Sequence, residues 1–365
     1  MARRSVSRGI AVRLGAAVAG IGLVAACAGS SGASWTPVSD LPDAGGSSLN
    51  GVTTGPSSFV AVGQAPFSGE TNHAAAWTSA DGKAWTRTAD DPSFSMHVLS
   101  AVASGPRGFM AVGGSCLNGE CFDESVWTSP DGQTWHRAAE LPVEQGSAGI
   151  SRTVVAGGPG WIVGGWQIAD ETAAAIWTTT DGSSWTAAEL SGSLLGATVA
   201  GLAVSGSTDV AVGLQKTDFS LTAAVWTSTD GKTWNPATAD ASFSGAVMNS
   251  VAAGGPGFVA VGKDESGAAV WSSTDGSTWK EEPALPGAAG AQMMSIAASG
   301  GRFVAVGYDP NTALVWTSKD GLSWTQSAAA SDMAGAQAMS TAVGATTDVV
   351  VGTAPGSAKA WTATH

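Results

Sequence analysis

The chain has 365 residues, of which 44% are hydrophobic and only 12% are charged, and its formal net charge is −13 at pH 7. A balance this acidic argues against nucleic-acid binding, because the phosphate backbone would repel the protein. No stretch keeps the 3.6-residue apolar period of a helix over a sustained length. Trp occurs 16 times and Tyr once, an imbalance that indicates a repeat in which Trp has a fixed place.

The first 27 residues have the pattern of an export signal. An apolar stretch over residues 14–26 is too short to span a bilayer as a helix, and four basic residues precede it: Arg3, Arg4, Arg8 and Arg13. Removing these four positive charges takes the formal net charge from −13 to −17. The stretch ends in Val24-Ala25-Ala26-Cys27, which resembles the lipobox of bacterial lipoproteins, where the Cys is acylated and becomes the mature N-terminus.

This resemblance implies a lipoprotein signal peptide at 1–27 with Cys27 lipidated, followed by a flexible tether at 28–33. The protein would then sit on the extracytoplasmic face of the cell membrane, held by its lipid; an ordinary cleaved signal is the alternative. In the oxidising compartment that export implies, Cys116 and Cys121 predict a disulfide that pins one loop, with two free thiols as the alternative.

One segment of the form Trp-x-x-x-Asp-Gly-x-x-Trp recurs six times along the chain. The spacing between successive copies is 50, 50, 49, 45 and 45 residues, which is typical of propellers and solenoids. The Asp-Gly pairs, strong signals for tight hairpin turns, begin at Asp81, Asp131, Asp181, Asp230, Asp275 and Asp320.

Each repeat predicts four short strands. In the fifth repeat these are 247–253, 258–262, 268–273 and 278–280, separated by Gly-rich or polar turns. Four short antiparallel strands per repeat make one blade of an all-β propeller. The regularly placed Trp side chains are expected to form the core between blades, since each buries about 150–250 Å².

The two ends of the chain determine the number of blades. Trp361 continues the series of first Trp residues, and Trp35 opens the series of second Trp residues. We therefore predict a seven-bladed β-propeller over residues 34–365, in which the N-terminal strand completes the last blade. Such closure leaves no open sheet edge.

The motif Ser/Thr-x-Asp-Gly-x-x-Trp is similar to the Asp-box (BNR) repeat of sialidase-like propellers, which also occurs in photosystem assembly factors and many exported bacterial proteins. The resemblance spans nearly all of the chain after Cys27, although the usual box has one residue between Asp and Gly. It implies the fold and gives the six aspartates a turn-stabilising role. It does not carry over sialidase activity, which would need three clustered Arg: Arg152 alone lies on a predicted inner strand.

The acidic residues are expected to gather on one face of the propeller. Turns between first and second strands would share a face with the Asp-Gly turns, and the remaining loops would form the opposite face. Most acidic residues fall in these remaining loops or at the strand ends that enter them, which predicts a negative potential that attracts cations or a basic partner. The alternative is that the charge only maintains solubility. Examples are Glu124, Asp170, Glu171, Asp264, Glu265 and Asp309.

Five residues are candidates for ligand binding at the mouth of the central channel on this face. Trp166 and Tyr308 follow the Gly that ends the second strand of their repeats, and they are aromatics outside the Trp series. Arg152, Asn50 and Asn249 share one position on the innermost strand, together with Ser100 and Ser340. Aromatic and polar groups around an opening suit peptide or sugar recognition.

The sequence thus favours an exported, lipid-anchored and monomeric propeller that binds a protein, peptide or glycan at the cell envelope without catalysis. A divergent glycan-processing hydrolase of sialidase-like fold is the alternative. The four His are scattered without ligand spacing, and no phosphate loop is present, so no metal or cofactor is expected.

Overall fold

The computed structural model describes residues 34–67, 73–117, 120–158, 160–192, 194–217, 220–238 and 240–365, apart from the side chains between 116 and 123. The expected signal peptide, Cys27 and tether lie outside the described residues and stay predictions. No helix in the described ranges is long and apolar enough to cross a bilayer.

Seven sheets follow one another along the chain, each with four antiparallel strands that are hydrogen-bonded in sequence order, and one sheet has an additional fifth strand. The first strand, β1 (Thr36–Pro37), belongs to the last sheet. Blades 1 to 3 comprise β2 (Ser48–Thr54), β3 (Phe59–Gln64), β4 (Ala74–Ser79), β5 (Thr86–Arg87); β6 (His97–Gly105), β7 (Gly108–Leu117), β8 (Glu120–Ser129), β9 (His136–Glu140); and β10 (Ala148–Gly157), β11 (Gly160–Ile168), β12 (Thr172–Thr179), β13 (Thr186–Ala187).

The other four blades continue in the same order. After a short strand β14 (Glu189–Leu190), they comprise β15 (Ala197–Ser205), β16 (Thr208–Lys216), β17 (Leu221–Ser228), β18 (Thr233–Pro236); β19 (Val247–Gly254), β20 (Gly257–Lys263), β21 (Ala268–Ser273), β22 (Lys280–Glu281); β23 (Gln292–Ser299), β24 (Arg302–Tyr308), β25 (Ala313–Ser318), β26 (Trp324–Gln326); and β27 (Gln337–Val343), β28 (Thr347–Ala354), β29 (Ser357–Thr364). This confirms the seven-bladed, all-β fold.

The ring closes through the N-terminal strand, as the sequence predicts. Strand β1 pairs antiparallel with β29, so that Thr36 lies opposite Thr362 and Pro37 opposite Trp361. Trp35, only 4% exposed, joins Trp361 in one buried cluster between the sixth and seventh blades. Closure therefore rests on main-chain pairing and on a shared apolar core.

Among the described residues the core consists of seven apolar clusters, and the Trp repeat supplies their largest side chains. The first Trp of each repeat is almost fully buried; Trp77, for example, donates its indole N–H to the carbonyl of Pro42 at 3.0 Å. The second Trp folds back onto its own hairpin, and Trp85 donates to the carbonyl of Gly82 at 2.8 Å. Trp77 and Trp85 thus bury their rings while the indole N–H keeps a partner. The buried indole N–H groups of Trp35, Trp185 and Trp271 have no hydrogen-bond partner among the described residues.

Each Asp-Gly turn is held by the same small network. In the first turn, one carboxylate oxygen of Asp81 accepts the backbone N–H groups of Lys83 at 2.8 Å and Ala84 at 2.9 Å, and Ser79 supports it. These hydrogen bonds to the charged form hold the pKa of Asp81 below its usual value. Gly82 has a φ of +76°, a conformation that favours Gly.

The two faces are arranged as predicted. A Cβ on Gly82 would meet Val349 and Thr347 of β28, so the Asp-Gly turn packs against the β27–β28 turn region of the preceding blade. On the opposite face, isolated bridges join the start of a third strand to the following linker, as between Thr312 and Ala334. The loops between second and third strands therefore share a face with the linkers between blades, which we call the mouth face.

Two local features differ from the expectation. Strand β14, in the linker before the fourth blade, adds a fifth strand that pairs parallel with β18. Glu124, which the sequence assigns to the acidic loops of one face or the strand ends that enter them, is only 4% exposed. The β7–β8 hairpin is longer than expected. Glu124 therefore lies within β8, and its carboxylate contacts Ser151 of the next blade.

Candidate functional site

The central channel is built by an irregularity that occurs in every blade. Each innermost strand contains one β-bulge, where one residue has no partner on the second strand. A bulge re-aims a side chain and interrupts the alternation of the strand. The seven bulged residues surround a cavity of about 190 Å³ on the propeller axis: Asn50, Ser100, Arg152, Ala200, Asn249, Met294 and Met339.

Three of the candidates from the sequence therefore do come together. Asn50, Arg152 and Asn249 occupy the same bulge position in blades 1, 3 and 5 and line the same cavity. The placement of Ser340 at that position was wrong, because Met339 is the bulged residue in the seventh blade. Ser340 lies one residue later, and it also lines the cavity.

The recurring Gly of the second strand is explained by these bulges. An added Cβ on Gly165 would lie 1.9 Å from the carbonyl oxygen of Ile150, and on Gly262 1.9 Å from that of Val247. The equivalent Gly of every blade is crowded in the same way, at 1.9–2.0 Å. The bulge thus presses a carbonyl onto the neighbouring strand at a point where no side chain fits.

Polar bulged side chains tie neighbouring blades together. Asn50 donates its amide to the carbonyl of Leu99 at 2.9 Å, and Asn249 donates to that of Met293 at 2.7 Å. Ser100 bonds the carbonyl of Ser151 at 2.9 Å. Each acceptor immediately precedes the bulge of the next blade, so these side chains have a structural task within the ring.

Arg152 differs from the other polar bulged residues. It is partly buried, and it makes no hydrogen bond or ion pair with any residue that the structure describes. Burial lowers the pKa of its guanidinium, and a weaker electrostatic influence of Tyr308 acts in the opposite direction. Arg152 lies on β10 in the third blade and Tyr308 on β24 in the sixth.

Tyr308 borders a second cavity on the mouth face. This cavity, of about 420 Å³, lies between the fifth and sixth blades, and its charged lining residues are Lys263, Asp264, Glu265 and Asp309. Three carboxyl groups beside a half-buried phenol give the cavity an acidic and partly aromatic lining. Cationic groups are the natural occupants of such a lining.

Carboxyl groups on this part of the mouth face influence one another. Burial raises the pKa of Glu281, and the neighbouring Asp264 and Asp240 raise it further. Burial also acts to raise the pKa of Asp264, but hydrogen bonds from Ser266 and Gly267 outweigh it and lower that pKa overall. Among the described residues no group of three or more His, Cys, Asp or Glu is arranged to hold a metal ion.

Trp166 lies on the mouth-face end of β11, half-buried and paired with Ile150 on one side and Ala174 on the other. No ring contact joins it to Tyr308 in the described part of the chain. Close by, the exposed side chains of Ile168 and Leu195 add apolar surface to the third blade. The two aromatic candidates thus mark separate places on one face.

The backbones of Cys116 and Cys121 lie opposite each other in the β7–β8 hairpin. Their side chains are outside the described part of the structure, and the disulfide stays a prediction.

No protein-family profile matches this chain, and no curated protein matches it in sequence. Solved structures with a similar fold include YCF48 bound to a D1 peptide, with 15% identity, coverage of 91% of this chain and 95% of that one, and a TM-score of 0.59. The WD40 β-propeller domain of Doa1 gives 12% identity, coverage of 90% and 97%, and a TM-score of 0.57. Sqt1 of Chaetomium thermophilum, bound to the N-terminus of ribosomal protein L10, gives 13% identity, coverage of 87% and 88%, and a TM-score of 0.52. At these identities the likeness concerns the β-propeller fold.

Proposed function

We propose that this chain is an exported, lipid-anchored propeller of the Asp-box type that binds a basic peptide or protein segment at the cell envelope without catalysing a reaction. The observation that carries the proposal is the cavity of about 420 Å³ beside Tyr308, where an aromatic ring and three carboxyl groups line one recess. A Lys or Arg side chain would stack its stem on the ring and place its charge against the carboxylates.

The rest of the mouth face suits an extended partner. Trp166, Ile168 and Leu195 offer half-buried or exposed apolar surface on the third blade, away from the Tyr308 cavity. A segment that crosses the channel mouth would meet apolar groups at one side and acidic groups at the other. Two propellers of similar fold were solved with a peptide or a protein N-terminus bound, which supports a binding role of this kind.

The proposal is tested with an array of equally long peptides that differ in their number of Lys residues. We expect binding to increase with Lys content and to weaken as salt is raised, because screening reduces the attraction of the acidic face. Tyr308→Ala and Trp166→Ala should each weaken binding about tenfold or more, while the unfolding midpoint changes little.

The matched control is Leu322→Ala. Leu322 is a large apolar side chain, 41% exposed, in an Asp-Gly turn on the face opposite the mouth. Its removal should leave peptide binding unchanged. Equal binding of Lys-rich and Lys-free peptides, or full binding by both aromatic variants, would refute the proposed surface.

The membrane anchor is a separate part of the proposal and rests on the lipobox-like Val24-Ala25-Ala26-Cys27. Mass spectrometry of the N-terminal peptide from the membrane fraction should show an acylated Cys27. Cys27→Ala should release the protein or leave its precursor uncleaved. An unmodified Cys27 in a membrane-bound mature protein would contradict the anchor.

The alternative, a glycan hydrolase, requires two carboxyl groups about 5–10 Å apart across a pocket. Among the described side chains that line the central cavity there is no Asp or Glu. The cavity on the propeller axis therefore gives this alternative no support.

A further inference from the structure

The central cavity contains a cation whose partner the described chain does not provide. Among the described residues that line it, Arg152 is the one with a charged side chain, and the others are small, apolar or neutral polar. Its guanidinium has five N–H donors, yet no hydrogen bond or ion pair to a described residue uses them. Asn50, Ser100 and Asn249 at the same bulge position do bond a neighbouring blade.

The backbone that carries Arg152 is fixed in place. Glu124 reaches from β8 and accepts the backbone N–H of Ser151 at 2.8 Å as well as its hydroxyl. This carboxylate is buried and is engaged with the residue directly before the bulge. Glu124 thus holds the position from which Arg152 enters the channel.

An Arg that is partly desolvated and lacks an anion is costly, because burial removes water without supplying a counter-charge. The cost falls when an anion enters and accepts the free N–H groups, so the position is preorganised for an anionic ligand. Unlike the two Asn residues at the same position, Arg152 forms no hydrogen bond to a neighbouring blade among the described residues, so it has no role there in holding blades together.

We propose that the central channel binds a single carboxylate group at Arg152. The guanidinium fork matches the two oxygens of a carboxylate. A cavity of about 190 Å³ admits a small group or the end of a chain. The formal net charge of −13 and the acidic mouth disfavour polyanions, so one negative charge on an otherwise neutral or basic molecule fits best.

Two sources can present this chemistry: a free small carboxylic acid, or the C-terminal carboxylate of a peptide that enters from the mouth. The first probe is therefore sodium acetate, exchanged for sodium chloride at constant ionic strength, with acetamide as the neutral comparison. Binding is followed by the shift in unfolding temperature and by the side-chain NMR signal of Arg152. We expect a saturable response to acetate with a Kd of about 1 mM and none to acetamide.

Variants separate the site from general salt effects. Arg152→Met should abolish the saturable response, and Arg152→Lys should weaken it roughly tenfold, because Lys keeps the charge but loses the fork. Arg107→Met is the matched control, since Arg107 lies on the opposite face and bonds the carbonyl of Asp181 there. It should respond as the unaltered protein does.

The second probe is N-acetyl-trialanine, as the free acid and as the amide. Tighter binding of the acid than of acetate, with no binding of the amide, assigns the site to a peptide terminus. Binding of acetate without the peptide acid assigns it to a free small acid. If neither acid gives a response that depends on Arg152, the proposal is wrong. This site is independent of the proposed peptide surface, which is tested through Trp166 and Tyr308 without acetate.

Discussion

The crowded Gly next to each bulge provides the sharpest test of how the channel is built. In the third blade this is Gly165, where an added Cβ would lie 1.9 Å from the carbonyl oxygen of Ile150 and 3.1 Å from the Cα of Ser151. Both contacts are with backbone, so no side chain can turn aside. Gly165→Ala must therefore push the first and second strands apart by more than about 1 Å, since carbon and oxygen normally approach no closer than about 3.3 Å.

The expected loss of stability follows from the hydrogen bonds that this strand separation breaks. Separating the strands at the bulge costs about two ladder bonds, and each buried group left unpaired costs about 1–3 kcal/mol. We expect Gly165→Ala to destabilise the protein by about 2–5 kcal/mol in urea unfolding followed by Trp fluorescence. The acetate response at Arg152 should weaken as well, because the bulge aims that side chain.

Two control substitutions isolate the backbone collision. A Cβ on Gly45 would meet nothing within 4 Å, so Gly45→Ala should be nearly neutral. A Cβ on Gly335 is equally unhindered, but its φ is +71°, so Gly335→Ala should cost about 1 kcal/mol for the left-handed conformation alone. The reasoning is refuted if Gly165→Ala is no more destabilising than Gly335→Ala.

Three further predictions concern two aspartates with shifted pKa values and the pair of cysteines. Asp209 is buried, and burial together with Asp230 raises its pKa. Its carboxyl group suits the folded protein while it is protonated and becomes unfavourable when it ionises as pH rises. Asp209→Asn should therefore raise the free energy of unfolding by roughly 1 kcal/mol at pH 7 and leave it unchanged near pH 3. In the Asp-Gly turn, hydrogen bonds lower the pKa of Asp320 to about 2, and its contribution disappears as pH falls to that value. Asp320→Ala should therefore destabilise by at most about 1 kcal/mol at pH 7, with no difference near pH 2 in acid titrations. Non-reducing peptide mapping should join Cys116 to Cys121, and reduction should cost about 2 kcal/mol at most; two free thiols in protein purified without reductant would exclude the disulfide.

The fold could be predicted because the features that define it are local and repeated. The Asp-Gly turn and its flanking Trp residues recur with a period that gives both strand number and blade number. Closure could be predicted because Trp35 and Trp361 each complete half of a motif. These signals arise from turn chemistry and from burial of large rings, which are readable from short segments.

The bulges could not be predicted, because one extra residue in a short strand looks the same in sequence as a strand that begins one residue earlier. This is why Ser340 was placed one position off, while Asn50 and Arg152 were placed correctly. The Gly of the second strand was the available signal, since a Gly that recurs inside a strand often marks a close approach of another backbone. Glu124 was misplaced for a related reason: the hairpin that contains it is longer than its equivalents.

The repeat also shows where the structure leaves room for function. Positions with a packing duty carry the same residue type in every blade, as the Gly beside the bulge and the first Trp do. The bulged position carries Asn, Ser, Arg, Ala, Asn, Met and Met in turn, so the fold accepts any of these side chains there. Asn50 and Asn249 use this freedom to bond a neighbouring blade, whereas Arg152 bonds no described residue. A charged side chain that packing does not require, held on a fixed backbone in a cavity without a described counter-charge, is most simply explained by a ligand that brings the missing charge.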